Sequence, residues 1–195
     1  MTMAQEKKKA RRILRSRLRK MTDAAIFRQS YAACLKLCAI ETWREARTVM
    51  LYLPMHRETD PTAAILDALR LNKRVCVPRI VPESRRLELV CIETLNAEMA
   101  VEANGIREPV GGAVIQPEDL DLIVVPGLGF NGQGGRLGRG GGFYDILLDH
   151  PNNKAVRCGL AFHQQILEPL PLEAHDQLVH QLITDRTCYS VDTIN

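Results

Sequence analysis

Two arginines stand in a stretch almost bare of other side chains. From Gly127 to Tyr144 the chain reads Gly-Leu-Gly-Phe-Asn-Gly-Gln-Gly-Gly-Arg-Leu-Gly-Arg-Gly-Gly-Gly-Phe-Tyr, and nine of the chain's 13 glycines fall between 127 and 142. Glycine lets a ligand approach the backbone closely and leaves N–H groups uncovered. Such N–H groups, followed by the positive end of a helix, attract an anion. Arg136 and Arg139 can fork onto phosphate oxygens. Asp145, in the first turn of the helix expected next, offers carboxylate oxygens suited to Mg²⁺. The stretch lacks the Gly-Lys-Ser/Thr ending of a P-loop, and its two G-x-G-x-x-G-like windows are weak signals alone. Embedded among glycines, both arginines are expected on an exposed loop without an internal partner.

A second source of positive charge lies at the other end of the chain. Residues 1–20 hold nine of the 26 Lys/Arg and one acid, +8 against a whole-chain charge of +3, so the remainder is −5. An anionic partner for this segment follows: nucleic acid, an acidic membrane or a phosphorylated small molecule. Lys7 and Arg11 are one helical turn apart and share a face. The six cysteines form no C-x-x-C pair. Cys34 and Cys38 could supply two metal ligands, but a tetrahedral site needs two more, so free thiols are the expectation. His56, His163, His175 and His180 show no ligand spacing and are expected on loops or the surface.

These groups need a scaffold. Ala10, Ile13, Leu14, Leu18 and Met21 recur at helical spacing and predict a helix over 7–21. Thr22 caps a second helix, whose apolar stripe is expected to be Phe27, Tyr31, Cys34, Leu35 and Cys38. Asp60-Pro61 opens a third helix running to 71. Strands are expected over 48–53, 74–77 (stopped by Pro78), 87–92, 121–125, 156–161 and 182–184, with a surface loop over 104–112 and a helix over 142–149. Strands alternating with helices predict one α/β domain over 1–195: three layers, with a mostly parallel sheet covered by helices on both faces. No run of about 18 apolar residues predicts a membrane span, and no signal pattern is evident, so the cytoplasm is the expected compartment.

Arg136-Leu-Gly-Arg-Gly-Gly-Gly-Phe-Tyr-Asp145, preceded by Pro126-Gly-Leu-Gly-Phe130, resembles the signature of the 5-formyltetrahydrofolate cyclo-ligase family, and the resemblance extends over nearly the whole chain. Lys7 and Arg11 match that family's Lys-x-x-x-Arg on a first helix. Glu58, after a strand ending in Leu53, matches a folate-side acid, and the segment Leu170–Asp176 matches a late Pro-then-Asp run. The resemblance implies the fold of sugar-phosphate isomerases and CoA transferases. It also implies closure of 5-formyltetrahydrofolate to 5,10-methenyltetrahydrofolate with Mg-ATP, releasing ADP and phosphate, in a cytoplasmic monomer without nucleic acid or membrane partners.

Carried over by position, ATP would meet Lys7, Arg11, Arg136, Leu137, Gly138, Arg139, Gly140, Gly141, Gly142, Phe143 and Tyr144. Folate would meet Leu53, Glu58, Arg139, Gly140, Gly141, Gly142 and Phe143. Arg136, Arg139 and Tyr144 would serve catalysis, and Asp145 and Asp176 would hold Mg²⁺. Three departures stand out: Asn131 where Asp is common, Gly141 where some members carry Lys, and His180 where a second late Asp is frequent. Three other readings compete: a nucleic-acid-binding protein using the basic helix, a dinucleotide-dependent oxidoreductase, and a nucleotide-binding relative that has lost the reaction.

Overall fold

The computed structural model describes residues 2–101 and 105–191. Helix α1 (Met3–Arg19), α2 (Asp23–Ala39) and α3 (Glu41–Glu45) precede strand β1 (Thr48–Met50). Helix α4 (Thr62–Arg70) leads to β2 (Arg74–Val81), β3 (Arg86–Ile92), β4 (Met99–Val101), β5 (Arg107–Pro109), β6 (Val114–Ile115) and β7 (Leu122–Val125). After β8 (Gly129–Phe130) and β9 (Arg136–Leu137) come α5 (Phe143–Leu148), β10 (Val156–Ala161), β11 (Gln181–Thr184) and β12 (Cys188–Ser190). The main sheet runs β12-β11-β10-β7-β1-β2-β3-β6. Its five central strands, β11 to β2, are parallel, and β12, β3 and β6 are antiparallel additions.

Strand alternation sorts the core into two faces. Val49, Leu51, Val75, Val77, Leu122 and Val124 pack with Ala33 and Leu37 of α2, Trp43 of α3 and Ile65 of α4. Met50, Cys76, Ile123 and Val125 point the other way and pack with Leu147 and Leu148 of α5. The arrangement is the expected three layers. The crossover β1–α4–β2 advances in one direction along the sheet and β7–α5–β10 in the other. Right-handed crossovers running in opposite directions place their helices on opposite faces. A crevice therefore opens where β1 and β7 diverge, beyond their carboxyl ends. Helix α1 closes over this end, burying Ala10, Leu14 and Leu18 against Leu128, Leu137, Phe162 and Leu170.

Several expectations need correction. Pro78 does not stop β2, which continues to Val81. The β1 ladder reaches only from Met50 to Cys76, so the missing N–H of Pro78 faces a side where pairing has ended. The expected loop over 104–112 contains β5, paired with β4; Asn104 itself lies outside the described residues. Thr22 does cap α2, its hydroxyl accepting from Ala25 N. The expected stripe, however, is half wrong: Phe27, Tyr31 and Leu35 are 74%, 52% and 55% exposed. Cys34 is buried and Cys38 partly buried as expected, but they are joined on the buried face by Ser30, Ala33 and Leu37, so that small residues predominate where α2 packs on the core. No helix among the described residues is long and apolar enough to cross a membrane.

Candidate active site

A cleft of about 610 Å³ fills the crevice, and every residue assigned to ATP, folate or metal from the sequence lines it. Local chemistry explains how each arrives. Tyr52 and Leu53 follow β1, and Pro126 and Gly127 follow β7. The segment after Leu53 is tied down at several points. The Tyr52 hydroxyl donates to Thr59 O (2.6 Å), and Arg57 donates to Leu18 O and Met21 O at the end of α1. Met55 N donates to a Glu58 carboxylate oxygen at 2.9 Å, which aims Glu58 into the cleft. Gly142 caps α5 at φ +75°, a conformation costly for other residues, and so turns the chain from loop into helix. A side chain at 141 would bring its Cβ to 2.9 Å from the Phe143 ring, so Gly141 leaves that ring undisturbed.

The arginines are not free, contrary to expectation. Arg136 is 5% exposed and pairs with the Asp145 carboxylate, with a further contact to Pro126 O at 3.4 Å. A buried guanidinium needs a counter-charge, and the α5 turn supplies it. Arg139 pairs with Glu58 at 2.7 Å. Glu58 thus sits beside the glycine loop in space although far from it in sequence. Lys7 is buried and bridges Asp176 (2.6 Å) and Glu173 (2.7 Å), while Arg11 Nε donates to Gly138 O at 2.9 Å. Burial disfavours the Lys7 ammonium, but the two carboxylates outweigh it and raise its pKa. Burial also opposes ionisation of Asp176, yet the Lys7 bond and the Glu173 N–H hold it below the usual carboxylate range.

Two buried polar atoms on cleft-lining residues have no hydrogen-bond partner among the described residues: the Tyr144 hydroxyl and Arg136 Nε. Burial, aided by the nearby charge of Glu58 and opposed by Arg136, keeps the Tyr144 phenol protonated far above neutral pH. It is a hydrogen-bond donor awaiting an acceptor. Asp145 and Asp176, named as metal ligands, are each engaged by a cation of the protein, and the groups that cluster with Asp176 are Glu173 and His175.

Sequence reasoning missed much of the cleft. Pro78, Ile80 and Leu87 form an apolar wall from β2 and β3, and Arg107 and Glu108 arrive on β5. Gln165 was also missed. It is buried, donates to Gly127 O (2.7 Å) and Leu128 O, and accepts from Phe162 N and Thr59 Oγ1. This one side chain joins the segments carrying Glu58 and the glycine loop. Only its position just after a strand end could have flagged it. Of the departures, Asn131 accepts from Gly135 N (2.6 Å) and Gln133 N (3.2 Å), a turn-closing role that an amide oxygen fills as well as a carboxylate. His180 Nδ1 accepts from Arg157 N beside β10 and is not part of the cleft.

Residues 3–185 match the model of the 5-formyltetrahydrofolate cyclo-ligase family. The 5-formyltetrahydrofolate cyclo-ligase of Mus musculus is 31% identical, over 93% of this chain and 95% of that protein. A probable 5-formyltetrahydrofolate cyclo-ligase of Schizosaccharomyces pombe is 28% identical, over 93% and 96%. The solution structure of the Aquifex aeolicus 5,10-methenyltetrahydrofolate synthetase superimposes with a TM-score of 0.82 at 30% identity, covering 100% of this chain and 95% of that one. A Mycoplasma pneumoniae 5,10-methenyltetrahydrofolate synthetase, 21% identical, shares the fold with a TM-score of 0.73 over 92% and 99%.

Proposed function

The chain belongs to the 5-formyltetrahydrofolate cyclo-ligase family, and from that premise we propose how its cleft divides the work of closing 5-formyltetrahydrofolate to 5,10-methenyltetrahydrofolate. ATP phosphates lie at the end built from Lys7, Arg11, Arg136 and the glycine loop. The pterin lies against the apolar wall, its N–H donors facing Glu58. The formyl oxygen attacks the terminal phosphoryl group and ADP departs. The neighbouring amine then attacks the formyl carbon, and phosphate leaves with the former formyl oxygen. An amide oxygen is a poor leaving group, and phosphorylation makes it a good one. The protein's task is therefore positioning and charge neutralisation.

The observation that carries this reading is the set of cations around one cleft, Lys7 and Arg136 of them buried, with the unpartnered Tyr144 hydroxyl and Arg136 Nε on residues that line it. Arg136 shifts part of its charge from Asp145 to the transferring group, Arg139 spans nucleotide and folate, and Tyr144 donates its hydroxyl. The oxygen donors of Asp145 and Asp176 suit Mg²⁺, which when bound would neutralise phosphate charge as Arg136 and Lys7 turn from these carboxylates to the phosphates. Lys7 and Arg11 face the cleft rather than solvent, which favours a small phosphorylated ligand over nucleic acid. The compartment and assembly state that fit this reading are the cytoplasm and a monomer. Absorbance of methenyltetrahydrofolate, followed with and without ATP, tests the reading; product formation independent of ATP would overturn it.

A further inference from the structure

Cys76 on β2 and Cys91 on β3 stand directly opposite one another in the antiparallel register. Cys76 O accepts from Leu51 N on the β1 side, while Cys91 N donates to Ala113 O on the far side. Their backbone groups point away from each other, which makes this a non-hydrogen-bonded pair. In such pairs the Cα atoms lie about 4.5 Å apart and the side chains approach most closely. Both side chains leave the same face of the sheet, and their Sγ atoms are 3.1 Å apart. A disulfide needs a Cα separation of about 4.4–6.8 Å, so the strand pair already meets its main geometric demand. Cys76 is fully buried and Cys91 is partly exposed. By contrast, the Cys34 thiol donates to Asp60 O, and the buried Cys158 thiol donates to Gly159 O at 3.8 Å.

We propose that Cys76 and Cys91 form a reversible dithiol–disulfide site, closed by a peroxide and reopened by a dithiol reductant. Cys91, nearer solvent, meets the oxidant first. Its deprotonated sulfur attacks one peroxide oxygen, the O–O bond breaks, and the departing hydroxide takes up the proton as water. Cys91 is left as a sulfenic acid. Cys76 then gives up its proton and its sulfur attacks the Cys91 sulfur; the S–O bond breaks and a second water leaves. Two thiols lose two electrons and one peroxide gains them. Burial pushes the Cys76 thiol up, which makes it a slow nucleophile toward molecules in solution, and contact with Cys91 is what makes it the resolving group. The site does not depend on how the cleft is read. It does bear on the cleft, because Pro78, Ile80 and Leu87 share its face of the two strands and line the pocket.

The test uses the reduced full chain treated with hydrogen peroxide, then blocked with a thiol reagent in denaturant and mapped by peptide mass spectrometry. Free thiols are expected to fall from six to four, with one peptide pair joining 76 to 91, two hydrogens lighter than the reduced peptides. Dithiothreitol should restore all six. Cys91→Ser should keep its remaining thiols under the same treatment. An unchanged thiol count, a bridge through other cysteines, or equal thiol loss in Cys91→Ser would each overturn the proposal. The mapping on the wild-type chain stands even if a variant folds poorly.

Discussion

The two ends of the cleft are built on opposite principles. At the glycine-loop end every cationic side chain already has a partner: Arg136 with Asp145, Lys7 with Asp176 and Glu173, and Arg11 with Gly138 O. Beyond it Pro78, Ile80, Leu87 and Leu53 present apolar surface, with the buried Glu108 accepting from Ile80 N, and Glu58 at the border shares its charge with Arg139 of the loop. The difference follows from desolvation. An ion cannot be held in a buried wall unpaired, so a phosphate site must be pre-assembled with stand-in carboxylates that the ligand displaces. An apolar wall needs no stand-in, and a flat ring system gains by covering it. Changes at the first end should therefore disturb both fold and ATP, and changes at the second should disturb folate alone.

The largest effect is expected at Arg136. A charge-assisted hydrogen bond contributes about 1.5–3 kcal/mol, so Arg136→Ala should lower turnover at saturating ATP by between about ten- and a hundredfold. Arg136→Lys should recover little, because a point charge cannot reproduce the planar fork. The alanine variant also leaves Asp145 partly buried and unpaired, and its Tm should fall by on the order of 5 °C. Wild-type turnover in a folded Arg136→Ala protein, followed by methenyltetrahydrofolate absorbance, would break the comparison at its stronger end.

Lys7 comes next. Lys7→Met should raise the KM for ATP about tenfold while leaving the KM for folate within about twofold. A point change is the right tool, because α1 buries Ala10, Leu14 and Leu18 and a truncation would expose the core. The same variant has a pH signature. The Lys7 pKa is raised, so its stabilisation is full below its ordinary value near 10.5 and is lost as pH rises through the folded value. The Asp176 pKa is lowered, so its stabilisation is present above the ordinary 3.8 and is lost as pH falls through the folded value. Tm measured against pH should decline at both limbs in the wild type, and both limbs should flatten in Lys7→Met.

Glu58 tests the other end. Glu58→Gln keeps an acceptor for Met55 N but removes the charge. The KM for folate should rise by about fivefold and that for ATP should stay within about twofold. The reverse pattern would mean that Glu58 acts through Arg139 on the nucleotide. The smallest effect is expected at Ile80→Ala, where partial loss of apolar contact should raise the KM for folate about threefold and leave ATP binding unchanged. Equal shifts for both substrates would show that the ends are coupled rather than separate.

How much of this was legible in the sequence depended on how local the signal was. Helix α5, strand β10 and the Thr22 cap follow from patterns a few residues long, and the glycine run by itself marked the end of the cleft proposed here for phosphate. Lys7 and Arg11 were flagged by the charge of the first helix, but Asp176 was found only because its segment matched a family, since nothing local says that the two ends of the chain meet. The stripe of α2 misled because the helix turns its small residues, not its large ones, toward the sheet. Pro78 misled because a proline ends a strand only where its N–H would have been needed.

The sequence by itself determined the chemistry available: glycines for a bare backbone, arginines and a lysine suited to an anion, and alternating apolar strands for an α/β core. Tertiary structure decided the partners. It buried Arg136 against Asp145, carried Glu58 to Arg139, placed Lys7 between Glu173 and Asp176, and joined the cleft walls through Gln165. The physical reason is that pairing energies depend on distance and burial, and both are set by how the helices and loops pack over the carboxyl ends of β1 and β7 rather than by spacing along the chain.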